Sequence, residues 1–204
     1  MIEKLPAPFN IAAVVPCYGS QGDNTIILTI EGERIITRVR MRTILRHLAA
    51  KQATDLSALK KLMTSTTGQA IMQPLPFNAH LVLFPVKIRK PRIAGDISIG
   101  YVNLYAITAI SKNKKLGTTI NLSGGSKIST LWTISTVTKY MQFACLATAY
   151  RSVSTFSADS IVPIARKLAE VIRETLVFET VLLLRNISIP HATHIDPLKK
   201  ITRL

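Results

Sequence analysis

Along this chain of 204 residues, the spacing of apolar positions changes period several times. "NIAAVVPCY" (10–18) is a short apolar run and predicts a strand that Pro16 ends. "GSQGDN" reads as a loop. "TIILTIEGERIITRVR" (25–40) has β-branched runs on both sides of Glu31-Gly32, which predicts a hairpin. "MRTILRHLAAKQ" is rich in helix formers, with Ile44, Leu45 and Leu48 on one side. "DLSALKKLM" (55–63) predicts a second short helix capped by Thr54 or Asp55. After a turn at "TSTTGQ", "AIMQPLP" and "HLVLFP" read as strand pieces. "DISIGYVNLYAITAIS" (96–111) alternates, with Ile97, Ile99, Tyr101 and Tyr105 on one parity, and predicts one long strand with a buried face. "KNKKLG" turns the chain, and "TTINL" and "KISTLW" flank Gly124-Gly125 as another hairpin.

From Ser135 the period becomes helical, with apolar residues at 137, 141, 144, 145 and 148 or 149. "ADSIVPIARKLAEVIRETL" predicts a second helix with Pro163 in its first turn. Its apolar stripe holds Ile161, Ile164, Leu168, Val171 or Ile172, and Leu176. The tail "HATHIDPLKKITRL" is polar and broken by proline, so flexibility is expected there. Strands come in runs and do not alternate with helices. The expected class is α+β: a mainly antiparallel sheet, two short helices in the N-terminal half and two longer C-terminal ones. A single domain over 1–187 and a tail over 188–204 follow from this pattern.

Charge changes the picture. The chain has 26 Lys plus Arg against 11 Asp plus Glu, a net charge of +15. Between Leu56 and Ala158 the sole acid is Asp96, against twelve cations. A merely solvated face would mix the signs. Such a balance favours densely anionic partners, nucleic acid or an anionic membrane surface. The concentrated part is "VKIRKPR", where Lys87, Arg89, Lys90 and Arg92 follow a core-like strand between Pro85 and Pro91. Cations beside prolines are a common guard on a sheet edge. They also form an extended arm of low conformational entropy, suited to the narrow minor groove of A-tracts. Lys112, Lys114 and Lys115 in a hairpin tip would add phosphate contacts. So would Arg38, Arg40, Arg42 and Arg46, where a strand enters a helix.

Other chemistry is weak. His191, His194 and Asp196 lie in the tail, with no fourth ligand placed to complete a metal shell. "SGGS" lacks the Lys-Ser/Thr of a phosphate loop. No His is placed beside a nucleophile or carboxylate, so no enzyme and no cofactor is expected. Cys17 and Cys145 make no disulfide framework, which favours a reducing, cytoplasmic setting. No apolar stretch reaches membrane-spanning length.

"PFNAHLVLFP", with Pro76, Asn78, Leu83, Phe84 and Pro85, resembles the signature segment of the competence transcription factor ComK family. A helical stretch like "TILRHLAAKQATDLSALKKL" precedes it. Ile97-Ser98, Ile134-Ser135 and Gln142 follow in the same order. The resemblance covers roughly residues 12 to 176. The sequence departs from the family at "IAGDIS", where a Cys and a Trp are expected. What the resemblance implies is a transcriptional activator of DNA-uptake genes that reads A/T-rich boxes in double-stranded DNA largely through the minor groove. It further implies a homo-oligomer, dimer or tetramer, with RNA polymerase and an adaptor-protease system as further partners. The alternative is a basic protein associated with RNA or the ribosome.

Overall fold

The computed structural model describes residues 5–20, 22–113 and 117–154, with side chains as far as Arg151. Its elements are β1 (Ile11–Gly19), β2 (Gly22–Thr29), β3 (Arg34–Thr37), α1 (Met41–Lys51), α2 (Leu56–Thr67), β4 (Leu75–Pro76), β5 (Val82–Lys87), β6 (Ile99–Asn103), β7 (Ile107–Lys112), β8 (Thr118–Leu122), β9 (Lys127–Thr130) and α3 (Ile134–Ser154). The fold is α+β with antiparallel sheets, as the runs of strands imply. The second C-terminal helix and the tail expected from the sequence lie outside the described residues.

Six strands form one sheet in the order β3-β2-β1-β6-β5-β4, and three form another, β7-β8-β9. The unbroken apolar runs of β1 and β5 exist because the large sheet is covered on both faces. Leu81 and Leu83 face α1 and α2, with Ile44, Leu48, Leu59 and Met63. Val82, Phe84 and Val86 face the small sheet, with Ile110, Ile120 and Ile128. Each fully buried side chain of this kind stabilises by roughly 1.5–3 kcal/mol. Helix α3 packs against β5, β4 and α2, placing Val137 and Ala144 in one core and Ala147 in the other.

Several sequence expectations shift. Pro16 does not end β1, which runs on to Gly19. Pairing of β1 with β6 stops at Val14, so the proline's missing amide meets no ladder beyond that point. Residues 96–111 are not one strand. The chain leaves the large sheet at Asn103, turns through Leu104–Ala106 and enters the small sheet as β7. Tyr105, expected on the buried parity, is therefore exposed. "TSTT" is not a turn but the last turn of α2. The Thr64, Thr66 and Thr67 hydroxyls donate to carbonyls one turn back, and Gly68, at φ 69°, closes the helix. The Asp55 cap is present: its carboxylate accepts from the amides of Ser57 and Ala58, which hold it below the usual carboxylate range.

Asn103 holds the switch between sheets together. It is fully buried. Its Nδ2 donates to the carbonyls of Ile11 and His80, and its Oδ1 accepts from the amides of Val82 and Tyr105. One side chain thus satisfies backbone groups at the places where three strands would otherwise leave them bare.

Candidate nucleic-acid interface

The β5–β6 loop is more ordered than a free arm. Its neck closes where the Ile88 amide donates to the Ser98 carbonyl. Arg89 folds back across the end of the β1–β2 hairpin. Its Nη2 meets Asp23 Oδ1 at 2.5 Å, and its Nε donates to the Ile97 carbonyl at 2.9 Å. Its guanidinium lies 3.7 Å from the centre of the Tyr18 ring. Its side chain is only 12% exposed, and its Nη1 has no hydrogen-bond partner among the described residues. Arg92 takes the same ring at 4.1 Å. The Tyr18 hydroxyl donates to Asp96 Oδ2, which also accepts from the Arg92 and Ile93 amides. The Tyr18 hydroxyl first, then the Ile93 and Arg92 amides and the charge of Arg89, hold the Asp96 carboxyl below its ordinary range.

Strand direction then decides what lies beside this loop. β1 and β5 both run antiparallel to β6, so both end on the same side of the sheet. β3 is antiparallel to β2, and its last residue, Thr37, pairs with Thr25 near the start of β2. The β3–α1 junction therefore sits at that same end, with Arg38, Arg40 and Arg42 exposed. The small sheet arrives there as well. The Leu131 amide and the Thr130 hydroxyl both donate to the Lys87 carbonyl. Lys112 at the β7–β8 hairpin pairs with Thr118, which pairs with Thr130. Strand spacing puts it roughly 10 Å from Thr130. Three basic clusters, far apart in sequence, thus share one end of the molecule.

The acids do not. Of five acids in the described residues, Glu31 and Glu33 occupy the β2–β3 turn at the far end, and Asp55 caps α2. Asp23 and Asp96 lie at the basic end, but both are spent on the loop's own structure. Lys87, Lys90, Arg92, Lys112, Arg38, Arg40 and Arg42 consequently have no carboxylate partner within ion-pair distance among the described residues. Helix α1 opens here with no side-chain cap and no acid in its first turn, so its positive end adds to the field. Arg46 lies one turn further along α1. Together with burial, Arg42 and Arg46 hold the Lys60 ammonium of α2 below the usual lysine range.

The sequence-predicted site residues fare unequally. Lys87, Lys90, Arg92, Lys112, Arg38, Arg40 and Arg42 come together, and Arg46 continues the patch along α1. Lys114 and Lys115 lie outside the described residues. Arg89 does not project as an arm residue: a carboxylate, a carbonyl and a ring engage its guanidinium. Pro85, expected to bracket the loop, is buried inside β5, where β4 no longer pairs. Tyr18, Asp23 and Asp96 are essential to the site's shape and carried no signal of it in sequence, since their partners lie up to 78 residues away. Among the described residues, no cluster of three His, Cys, Asp or Glu side chains is arranged to hold a metal, and no helix is long and apolar enough to cross a membrane. Comparison with protein-family models, with curated proteins and with solved structures returned no match.

Proposed function

We propose that this protein binds double-stranded nucleic acid through the basic end, with A/T-rich DNA as the preferred duplex. One observation carries the reading: three cation clusters converge on one end, where Asp23 pairs with Arg89 and Asp96 is held in the loop's own hydrogen bonds. Lys112, Arg38, Arg40 and Arg42 would grip phosphates, which position a duplex without reading it. Lys90 and Arg92 stand on the exposed part of the loop, the part shaped to enter a narrow, strongly negative groove. Arg89 acts one step back, holding the loop to the β1–β2 hairpin. The resemblance to the competence transcription factor ComK family, carried by "PFNAHLVLFP", extends the proposal to transcriptional activation of DNA-uptake genes by an oligomer.

The test is binding of the full chain to A/T-rich DNA, G/C-rich DNA and RNA duplexes of equal length across a salt series. Affinity for the A/T duplex should fall with a log–log slope of about −0.9 per phosphate neutralised. Arg92→Ala should narrow the gap between A/T and G/C duplexes. Lys112→Ala should weaken both alike. Tighter binding to RNA than to A/T DNA at every salt concentration would replace this reading with the RNA-associated one.

A further inference from the structure

Ile93 is the most exposed large apolar side chain among the described residues, at 71%. Lone exposed apolar residues are ordinary on protein surfaces and need no explanation by themselves. This one sits at the tip of the basic loop, between Arg92 and the Ala94-Gly95 turn. Its backbone is fixed. Its amide donates to Asp96 Oδ2, its carbonyl accepts from the Asp96 amide, and Gly95 turns the chain at φ 92°, a region only glycine enters freely. Arg92, its neighbour, is held over Tyr18. A loop that spends its one carboxylate on fixing the tip presents a rigid hydrocarbon wedge flanked by cations.

We propose that Ile93 enters the base stack of a bound duplex from the minor groove, separating one base step and kinking the DNA. The inference rests on the duplex-binding reading above. The chemistry is that of an apolar wedge. Unstacking a step costs a few kcal/mol, and the bend it allows brings more backbone to the protein. Flexible pyrimidine–purine steps within A/T-rich sequence are where this distortion is easiest. Phosphates drawn in by such a bend would meet the Arg38–Arg42 and Lys112 clusters at the same end of the molecule.

The experiment uses the full chain and an A/T-rich duplex of about two helical turns. A fluorescent adenine analogue at a central TA step reports unstacking, and a dye pair on the ends reports bending. The wild-type protein should raise the analogue's emission severalfold and shorten the end-to-end distance. Ile93→Ser should abolish both signals and lower affinity about tenfold, leaving the melting temperature nearly unchanged because the side chain is mostly exposed. Ile93→Leu should restore both. A duplex bound by the wild type without unstacking or bending overturns the wedge and leaves duplex binding standing. Bending that survives in Ile93→Ser overturns it equally. A free protein whose sedimentation changes in Ile93→Ser while its bending does not would assign the residue to self-association instead. Failure to bind any duplex defeats both readings together.

Discussion

The two ends of the large sheet are made by the same strands, yet they handle polar groups in opposite ways. At the far end, polarity is turned inward. Asn103 is buried among four backbone partners, and the β2–β3 turn meets the β8–β9 turn so closely that a Cβ on Gly32 would lie 2.4 Å from the Gly124 oxygen. The exposed charges there are mixed, with Glu31 and Glu33 near Arg34 and Lys127. At the basic end, polarity is turned outward. Both acids are consumed internally, and the exposed charge is of one sign. One end is built to close the fold, and the other keeps an unbalanced field at the surface. Self-repulsion of that field costs stability in the free protein and is relieved when a polyanion binds.

The largest effect expected from breaking this contrast is at the far end. Asn103→Ala leaves buried amides and carbonyls of three segments unpaired. It should cost about 3 kcal/mol, read as a lower denaturant midpoint, with the salt slope of any duplex binding unchanged. Next comes Arg89→Ala, which leaves Asp23 without its partner. The pair is only partly exposed, so a loss of roughly 2 kcal/mol is expected, less than for a fully buried pair, with loosening of the β5–β6 loop seen as faster amide exchange at Ile97 and Ser98. A cost near zero would mean that the loop holds its shape without the pair. The triple change Arg38→Gln, Arg40→Gln, Arg42→Gln should barely alter stability, by about ±0.5 kcal/mol per site, yet flatten the salt slope by about 2.7. The smallest effect is acid titration of the loop. The Asp96 pKa is depressed in the fold, so its contribution is present above the unfolded value near 3.8 and is lost as pH falls through the lower folded value. Tyr18→Phe removes the first cause of that depression. It should move the acid loss of loop order to higher pH, followed by the amide shifts of Arg92 and Ile93.

Local features were legible in the sequence because their causes are local. The Glu31-Gly32 and Gly124-Gly125 hairpins, the Asp55 cap and the apolar face of α1 each depend on residues within about one turn or one strand. The charge map was also legible, since it needs only counting. The convergence of the clusters was not, because it follows from the order β3-β2-β1-β6-β5-β4 and from the Lys87 junction between sheets. Arg89 shows the limit most sharply. In sequence it is indistinguishable from Arg92. What separates them is Asp23, 66 residues away, brought close by strand pairing. Likewise, the alternation across 96–111 correctly marked Tyr101 as buried but could not reveal that the chain changes sheets at Asn103.

The tie between the β5–β6 loop and the β1–β2 hairpin has a practical corollary. Residues 87–99 look like a portable element, a short basic peptide closed at its neck. Yet the ring, the carboxylate and the hydroxyl that shape it belong to Tyr18 and Asp23, on another hairpin. A peptide of 87–99 grafted elsewhere, or cyclised alone, would keep the charges and lose the shape. Any transplant of this loop has to carry residues 17–24 with it as a two-piece unit.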